Sequence, residues 1–144
     1  MYNMKNHLLC FINLFFAYTT YKLFFKEDIM CGFVGFVNLK HDLQDRREIL
    51  TRMTKKLAKR GPDEEDLYLA PKVNLGHRRL IIIDPKNGGQ PMSAKYDDTT
   101  YTIVYNGQLY NAKELRDKLK EIGYEFKGYC DTEVILKAYI EWRK

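Results

Sequence analysis

The sequence predicts a mixed domain of α-helices and β-strands that begins near residue 30, after an N-terminal segment of different character. Short apolar runs rich in β-branched residues alternate with runs whose apolar residues recur at helical spacing. Glycine, proline and asparagine separate these runs, as expected for turns. A length of 144 residues is enough for one ordinary domain with a core. With 45% hydrophobic and 30% charged residues, the composition is typical of a soluble globular protein.

The predicted strands are apolar runs bounded by turn residues. They cover residues 32–39, 67–70, 73–83, 101–105 and, as a short element, 124–126. Residues 80–83 are all leucine or isoleucine, so this part of its strand is expected to be covered on both faces. Residues 84–91 are predicted to form a loop because they hold two prolines, two glycines and an asparagine.

Three helices are predicted from apolar residues at helical spacing. The first covers residues 45–59 and ends before Gly61 and Pro62. The second begins at Asn111 as N-cap, with Glu114 closing a capping box, and ends at Gly123. The third covers residues 132–142. The expected buried stripe of the second helix is Leu115, Leu119 and Ile122, and the expected face of the third is Ile135, Ala138, Tyr139 and Trp142.

Residues 1–29 form a separate N-terminal extension with three open interpretations. Residues 8–25 hold 14 apolar or aromatic residues among 18, near the roughly 17–25 residues of a membrane span. Lys5 before an apolar run is typical of an export signal, but no cleavage site of small residues follows. The extension is therefore interpreted as translation from a misplaced start, as a membrane or export segment, or as a removable propeptide.

Charge and cysteine content limit the function classes. The net charge of +5 is spread along the chain, and its densest basic run lies on the predicted helix 45–59, opposite apolar residues. The charges are therefore interpreted as a solvated surface, and no nucleic-acid partner is expected. Cys10, Cys31 and Cys130 lack the spacing of disulfides or metal ligands, which favours a reducing, cytoplasmic location and no metal.

Cys31 is the first candidate for chemistry because it directly follows Met30. If Met30 initiates translation and is removed, Cys31 carries both a thiol and a free α-amine. An α-amine with an ordinary pKa of about 7.7–8.0 acts as a base at neutral pH, and a nucleophile paired with such an amine is an established catalytic arrangement. The alternative is a small buried cysteine that begins a strand.

Four further residues carry groups that suit a catalytic site. Asn106 and Gly107 at a strand end can donate a side-chain and a backbone N–H to an oxyanion, or can simply form a hairpin turn. Arg79 can hold a carboxylate with two hydrogen bonds, or form a surface ion pair. Asp131 precedes a predicted helix, where it can accept hydrogen bonds from a ligand ammonium or act as an N-cap.

Six motifs occur in one order along the chain. They are Met30-Cys-Gly, Arg60-Gly-Pro-Asp63, Gly76-His-Arg-Arg79-Leu-Ile-Ile-Ile-Asp84, Gly88-Gly-Gln-Pro-Met92, Tyr105-Asn-Gly-Gln-Leu-Tyr-Asn111 and Cys130-Asp-Thr-Glu-Val134. Together they closely resemble the glutamine-hydrolysing domain of class II glutamine amidotransferases. The second and fourth motifs point to the asparagine synthetase branch. The resemblance covers residues 30–142 almost without a gap.

The resemblance implies an α+β fold of the N-terminal-nucleophile hydrolase type, a four-layer αββα sandwich. It assigns Cys31 as nucleophile, Asn106 and Gly107 as oxyanion donors, Arg79 to the substrate α-carboxylate and Asp131 to the α-ammonium. Main-chain groups of Leu80, Ile81, Ile82 and Ile83 complete the glutamine site, together with Gln108. The implied reaction passes through a thioester, releases ammonia and needs no cofactor in this chain. ATP, Mg and aspartate are expected only at a separate synthetase domain.

Four departures from the family pattern qualify this interpretation. Gln108 stands where the family usually has glutamate, and Cys130 where it often has serine. Residues 1–30 would convert the α-amine of Cys31 into an amide, which cannot act as a base. The domain formed by residues 30–144 is expected to be incomplete at its C-terminal end. The alternative function is therefore an inactive gene fragment, and a more distant one is a membrane-tethered variant anchored by residues 8–25.

Overall fold

The computed structural model describes residues 8–10 and 30–143. The strands are β1 (Leu8–Cys10), β2 (Gly32–Val37), β3 (Glu64–Ala70), β4 (Val73–Arg79), β5 (Met92–Tyr96) and β6 (Thr99–Val104). The helices are α1 (Arg47–Lys55), preceded by a 3-10 turn at Gln44–Arg46, α2 (Ala112–Glu121) and α3 (Asp131–Trp142). Strands β3 to β6 precede α2 and α3 without a helix between them, and most strand pairs are antiparallel, so the fold belongs to the α+β class, as predicted.

The first sheet has the order β2-β4-β3, with antiparallel pairing on both sides of β4. Gly32 lies opposite Arg78, and Glu64 lies opposite Arg79. Antiparallel pairing therefore places the beginning of β2 beside the end of β4. Helix α1 packs on this sheet, where Gly76 approaches Thr54 closely.

The second sheet has the order β1-β6-β5; β6 pairs in parallel with β1 and antiparallel with β5. Tyr101 and Ile103 of β6 pack against Leu136 and Ile140 of α3 in a buried cluster. Successive side chains of a strand point to opposite faces, so Thr102, which is also buried, points away from α3. Strand β4 of the first sheet approaches β6.

The prediction of a strand at residues 80–83, covered on both faces, is wrong. Strand β4 ends at Arg79, and the side chains of Ile82 and Ile83 are 75% and 44% exposed. The physical reason is the register: β2 begins opposite Arg78 and β3 begins opposite Arg79, so the chain beyond Arg79 has no partner strand on either side. The described strands that are buried on both faces are β4, at residues 74–77, and β6, at residues 101–104.

Other strand predictions need smaller corrections. Strand β2 ends two residues early at Val37, β3 begins three residues early at Glu64, and β6 is shifted to Thr99–Val104. Strand β5 was not predicted, although Met92, Ala94 and Tyr96 alternate with the polar Ser93 and Lys95. Residues 124–126 form no strand.

The helix predictions are right in existence and wrong in details. Helix α1 covers only Arg47–Lys55, because residues 56–60 continue as turns. Asn111 is the N-cap residue of α2, but its side chain makes no capping bond, and Glu114 pairs with Lys118 instead. Leu119 is buried as predicted, whereas Ile122 is exposed. Asp131 lies inside the first turn of α3. The apolar residues that α3 buries are Val134, Leu136 and Ile140; of the predicted face, Ile135, Ala138 and Tyr139 are only partly buried and Trp142 is exposed.

Most predictions for residues 1–29 lie outside the described residues. Of that segment the structure describes only the backbone of β1, which pairs with residues 102–104 of β6. None of the helices in the described part of the chain is long and apolar enough to cross a membrane.

Candidate active site

Cys31 lies immediately before β2, where the sheet register brings it to the end of β4. Its side chain is half-buried. The backbone N–H of Leu80 donates to Sγ at 3.3 Å, and the thiol donates to the Leu80 carbonyl at 3.5 Å. Met30, the preceding residue, is exposed. The thiol is therefore held by main-chain groups of the segment that follows β4.

The backbone of residues 80–83 is held by side chains instead of by a neighbouring strand. The N–H of Ile81 donates to Asp63 Oδ2 at 2.7 Å, and the carbonyl of Ile83 accepts from Arg79 Nη2 at 3.0 Å. Because buried and partly buried backbone groups need partners, these contacts replace the missing ladder. They leave the side chains of Ile82 and Ile83 facing solvent.

Arg79, the last residue of β4, is 4% exposed and organises the loop after it. Nη1 donates to Glu64 Oε2 at 2.7 Å, and Nη2 donates to the Asp84 carbonyl at 2.7 Å. Nη1 also lies 3.4 Å from the Pro85 carbonyl. Gly88 passes so near that an added Cβ would lie 2.3 Å from Nη2, so only glycine fits there. The guanidinium is thus fixed beside the segment that holds Cys31.

Asn106, Gly107 and Gln108 follow directly after β6 and Tyr105. The N–H of Tyr105 donates to Oε1 of the buried Gln90 at 2.6 Å, which fixes the strand end. A Cβ at Gly107 would lie 2.7 Å from the Tyr105 hydroxyl. Burial, and then the negative charge of Asp131, raise the pKa of Tyr105. The phenol of Tyr105 therefore lies among the residues predicted for the site.

Asp131 joins this loop to α3. Its Oδ2 accepts from the N–H of Leu109 at 3.1 Å, while its position in the first turn of α3 places the carboxylate at the positive end of the helix dipole. Gln90 strengthens the same junction, because its Nε2 donates to Thr132 Oγ1 at 3.2 Å. The structure thus brings Asp131 to the 106–109 loop and Leu80 to Cys31.

The second described thiol, Cys130, has a different environment. It is buried, and burial raises its pKa, which disfavours the thiolate. Cys31, with its half-buried side chain at a strand start, is the more exposed of these two thiols. Within residues 30–143, no group of three or more His, Cys, Asp or Glu side chains is arranged to hold a metal ion.

Comparison with known proteins identifies the family of this chain. The family described as a glutamine amidotransferase domain matches residues 30–144. The chain belongs to this family. Glutamine-hydrolyzing asparagine synthetase 3 of Bacillus subtilis is 44% identical over 115 residues, 80% of this chain and 19% of the relative.

Two other relatives give the same picture of the amidotransferase domain. Glutamine-hydrolyzing asparagine synthetase 1 of Bacillus subtilis is 45% identical over 118 residues, 80% of this chain and 18% of the relative. Glutamine-hydrolyzing asparagine synthetase 1 of Arabidopsis thaliana is 36% identical over 113 residues, 78% of this chain and 19% of the relative. The chain thus spans about a fifth of the length of these relatives.

Four motif residues of the amidotransferase domain received no role from the sequence alone. Asp63, Asp84, Gln90 and Glu133 accept backbone N–H bonds that hold loops around the site. Each lies inside one of the six motifs, so the motifs could have marked these residues as important. The motifs do not show which loop each side chain holds. The roles of Cys31, Arg79, Asn106, Gly107, Gln108 and Asp131, and of residues 80–83, in binding or catalysis stay predictions.

Proposed function

We propose that residues 30–144 form the glutamine-hydrolysing part of an asparagine synthetase, with Cys31 as nucleophile. The observation that carries the proposal is the Cys31 thiol, held at 3.3 and 3.5 Å by the N–H and carbonyl of Leu80, the residue that follows Arg79. Similarity to glutamine-hydrolyzing enzymes over the same residues supports this function over an inactive gene fragment.

The proposed reaction converts glutamine and water into glutamate and ammonia in two steps. The sulfur of Cys31 bonds to the side-chain carbonyl carbon of glutamine, and the C–N bond breaks as the nitrogen takes a proton and leaves as ammonia. Water then attacks the thioester, which releases glutamate and restores the thiol. Asn106 and Gly107 donate N–H groups to the oxyanion of each tetrahedral intermediate.

Recognition of the substrate rests on its two α groups. Arg79 binds the α-carboxylate, and Asp131 accepts from the α-ammonium. Main-chain groups of residues 80–83 and the side chain of Gln108 complete the site. Arg79 Nη1 pairs with the partly exposed Glu64 at 2.7 Å, so we propose that the α-carboxylate replaces this exposed partner on binding.

The base in this proposal is the α-amine of Cys31, which exists only when the bond between Met30 and Cys31 is absent. Met30 is exposed, so this bond is accessible at the surface of the described structure. Glutamine hydrolysis needs no metal or cofactor in this proposal. A separate synthetase domain uses the ammonia together with ATP, Mg and aspartate.

We further propose the finer fold and the location. Helix α1 on one sheet, α3 on the other and the approach of β4 to β6 support a four-layer αββα sandwich of the N-terminal-nucleophile type. The two described cysteines are free thiols, which supports a reducing, cytoplasmic location.

Ammonia release from glutamine by the purified protein tests the function. The N-terminal residue is first identified by intact mass, and activity is compared between the chain that begins at Cys31 and the chain that retains residues 1–30. We expect activity only from the chain that begins at Cys31. Removal of its thiol in Cys31→Ala should lower kcat by at least about 1,000-fold, since the nucleophile and its covalent intermediate are lost.

Cys130→Ala is the matched control because Cys130 is also a free cysteine in the described residues, but a buried one. Its activity should stay within about twofold of the parent. Equal losses from both variants would overturn the assignment of Cys31. A chain that begins at Cys31 and releases no ammonia would overturn the proposed function.

A further inference from the structure

Asp84 is the most fully hydrogen-bonded carboxylate around the candidate site. Its side chain is 1% exposed. Oδ1 accepts from the backbone N–H and the side-chain amide of Asn87, both at 3.1 Å. Oδ2 accepts from the N–H groups of Tyr129 at 2.6 Å and Cys130 at 3.2 Å. A carboxylate with four donors uses all the acceptor positions that such a group offers.

The backbone of the same residue is bonded to Arg79. The carbonyl of Asp84 accepts from Arg79 Nη2 at 2.7 Å and from the N–H of Gly88 at 2.9 Å. Its φ of +50° turns the chain sharply at this point. One residue thus contacts the guanidinium through its main chain and, through its side chain, a segment 45 and 46 positions away.

Residues 128–130 approach the carboxylate of Asp84 closely. A Cβ on Gly128 would lie 1.9 Å from Asp84 Oδ2, so only glycine allows the approach. The guanidinium of Arg116 donates to the carbonyls of Gly128 and Cys130. Asp131 follows Cys130 directly, so bonds that fix the backbone at residues 128–130 also fix where the carboxylate of Asp131 begins.

We propose that Asp84 is a positioning residue that sets the separation between Arg79 and Asp131, the two side chains assigned to the α-carboxylate and α-ammonium of glutamine. This inference rests on the proposed function. The two α groups of an amino acid sit on one carbon, so their partners must keep a fixed spacing, and charged hydrogen bonds weaken steeply once geometry is lost. Asp84 supplies that spacing because it is bonded to Arg79 and to the backbone of Tyr129 and Cys130, which leads directly into Asp131.

Four donors also explain why a carboxylate stands at this buried position. Burial raises the pKa of Asp84, but the N–H groups of Tyr129, Asn87 and Cys130 outweigh it, so the pKa lies below its ordinary value. The group is therefore ionised at neutral pH. Its negative charge is the charge that four converging N–H donors stabilise.

Asp84→Asn tests the proposal in the active chain. Asparagine tolerates positive φ as aspartate does, but it turns an NH₂ donor toward two of the four N–H groups. We expect KM for glutamine to rise on the order of tenfold, as for loss of one charge-assisted hydrogen bond, with kcat within about threefold. Asp97→Asn is the control, because Asp97 has a φ of +52° and is exposed, and its KM should not change.

Two labelling rates separate positioning from general damage. A diazoketone analogue of glutamine that carries both α groups should label Cys31 of Asp84→Asn about tenfold more slowly, whereas iodoacetamide, which carries neither, should label it at the parental rate. Equal slowing by both reagents would mean structural damage and overturn the proposal.

Gly128→Ala approaches the same contact from the other side and decides the matter if Asp84→Asn does not fold by circular dichroism. It should reproduce the rise in KM and the selective slowing with the analogue. An active parent whose Asp84→Asn or Gly128→Ala variant is folded and keeps the parental KM overturns the inference alone. A parent without glutaminase activity overturns the proposed function, and the inference with it.

Discussion

His77 is a histidine in the middle of β4 whose side chain is fully buried. Neither ring nitrogen makes a hydrogen bond of normal geometry within the described part of the chain. Burial lowers the pKa of His77 from 6.5 to about 4; the backbone of Tyr105 and the charge of Glu64 oppose this, and the charge of Arg79 adds to it. The ring is therefore neutral at physiological pH and acts as part of the core.

Because of this histidine, the folded chain should become less stable as the pH is lowered. The unfolded chain binds a proton near pH 6.5, whereas the folded chain resists it until about pH 4. The contribution of His77 is therefore complete above about pH 6.5 and is lost as the pH falls toward 4. The loss amounts to about 3 kcal/mol in the free energy of unfolding.

Urea unfolding between pH 7 and pH 4 measures this effect. His77→Gln should lose less stability over that range than the parent, by about 3 kcal/mol. His41→Gln provides the control, since His41 is exposed, and its curve should run parallel to that of the parent. Parallel curves for His77→Gln and the parent would contradict the prediction.

At the scale of one element, α2 shows which helix signals act locally. Its C-terminal end is a complete Schellman motif: the N–H of Gly123 donates to Lys120 and the N–H of Tyr124 to Leu119, with a φ of +99° at Gly123. Asn111 is at the N-cap position, but without the predicted capping bond. A backbone angle that only glycine adopts easily can be predicted from one residue. A side-chain capping bond is harder to predict, because the same side chain can bond to another partner, as Glu114 does to Lys118.

Gly123→Ala should destabilise the protein by about 1–2 kcal/mol, since alanine pays for a positive φ. Beyond its chain neighbours, nothing lies within 4 Å of an added Cβ at Gly123, so the expected cost comes from the backbone conformation alone. Gly89→Ala is the control for Gly123→Ala, because an added Cβ at Gly89 would also meet open space but the φ of Gly89 is not positive. Thermal unfolding should show Gly89→Ala within about 0.5 kcal/mol of the parent. Equal effects of the two variants would refute the role of φ.

At the scale of the whole molecule, the packing of α1 on the first sheet depends on Gly76. An added Cβ would lie 2.0 Å from Thr54 Oγ1, so the missing side chain of β4 makes room for the helix. Thr54 is fully buried, and its hydroxyl donates a hydrogen bond to the Leu50 carbonyl at 2.8 Å. Helix and sheet therefore fit at this one crossing because a small residue faces a larger one.

Gly76→Ala should cost about 1–3 kcal/mol of stability, the usual effect of overpacking a core. Thr54→Ala in the same chain removes the hydroxyl that the new methyl group meets first, and should restore part of the loss. The remaining distance of 3.2 Å to Thr54 Cβ keeps the rescue incomplete. Guanidinium unfolding of the parent, the two single variants and the double variant measures the coupling, and strictly additive losses would exclude this contact as the cause.

The sequence by itself determined the class of fold, the order of most elements and, through six motifs, the family. These depend on local periodicity, turn residues and residue identity, which any single segment carries. It located the end of α2 at Gly123 and the core position of Leu119 for the same reason. It did not predict β5, which is only five residues long and holds no β-branched residue, although its apolar and polar residues alternate.

Only the tertiary structure decided how residues 80–83 are used. Their apolar character is that of a strand, but a strand needs neighbours, and the pairing of β4 with β2 and β3 stops at Arg78 and Arg79. The freed backbone groups bond instead to Cys31, Asp63 and Arg79. The link from Asp84 to Tyr129 and Cys130 likewise spans residues far apart in the chain, and pairings of that range depend on the register of whole sheets, which no local pattern encodes.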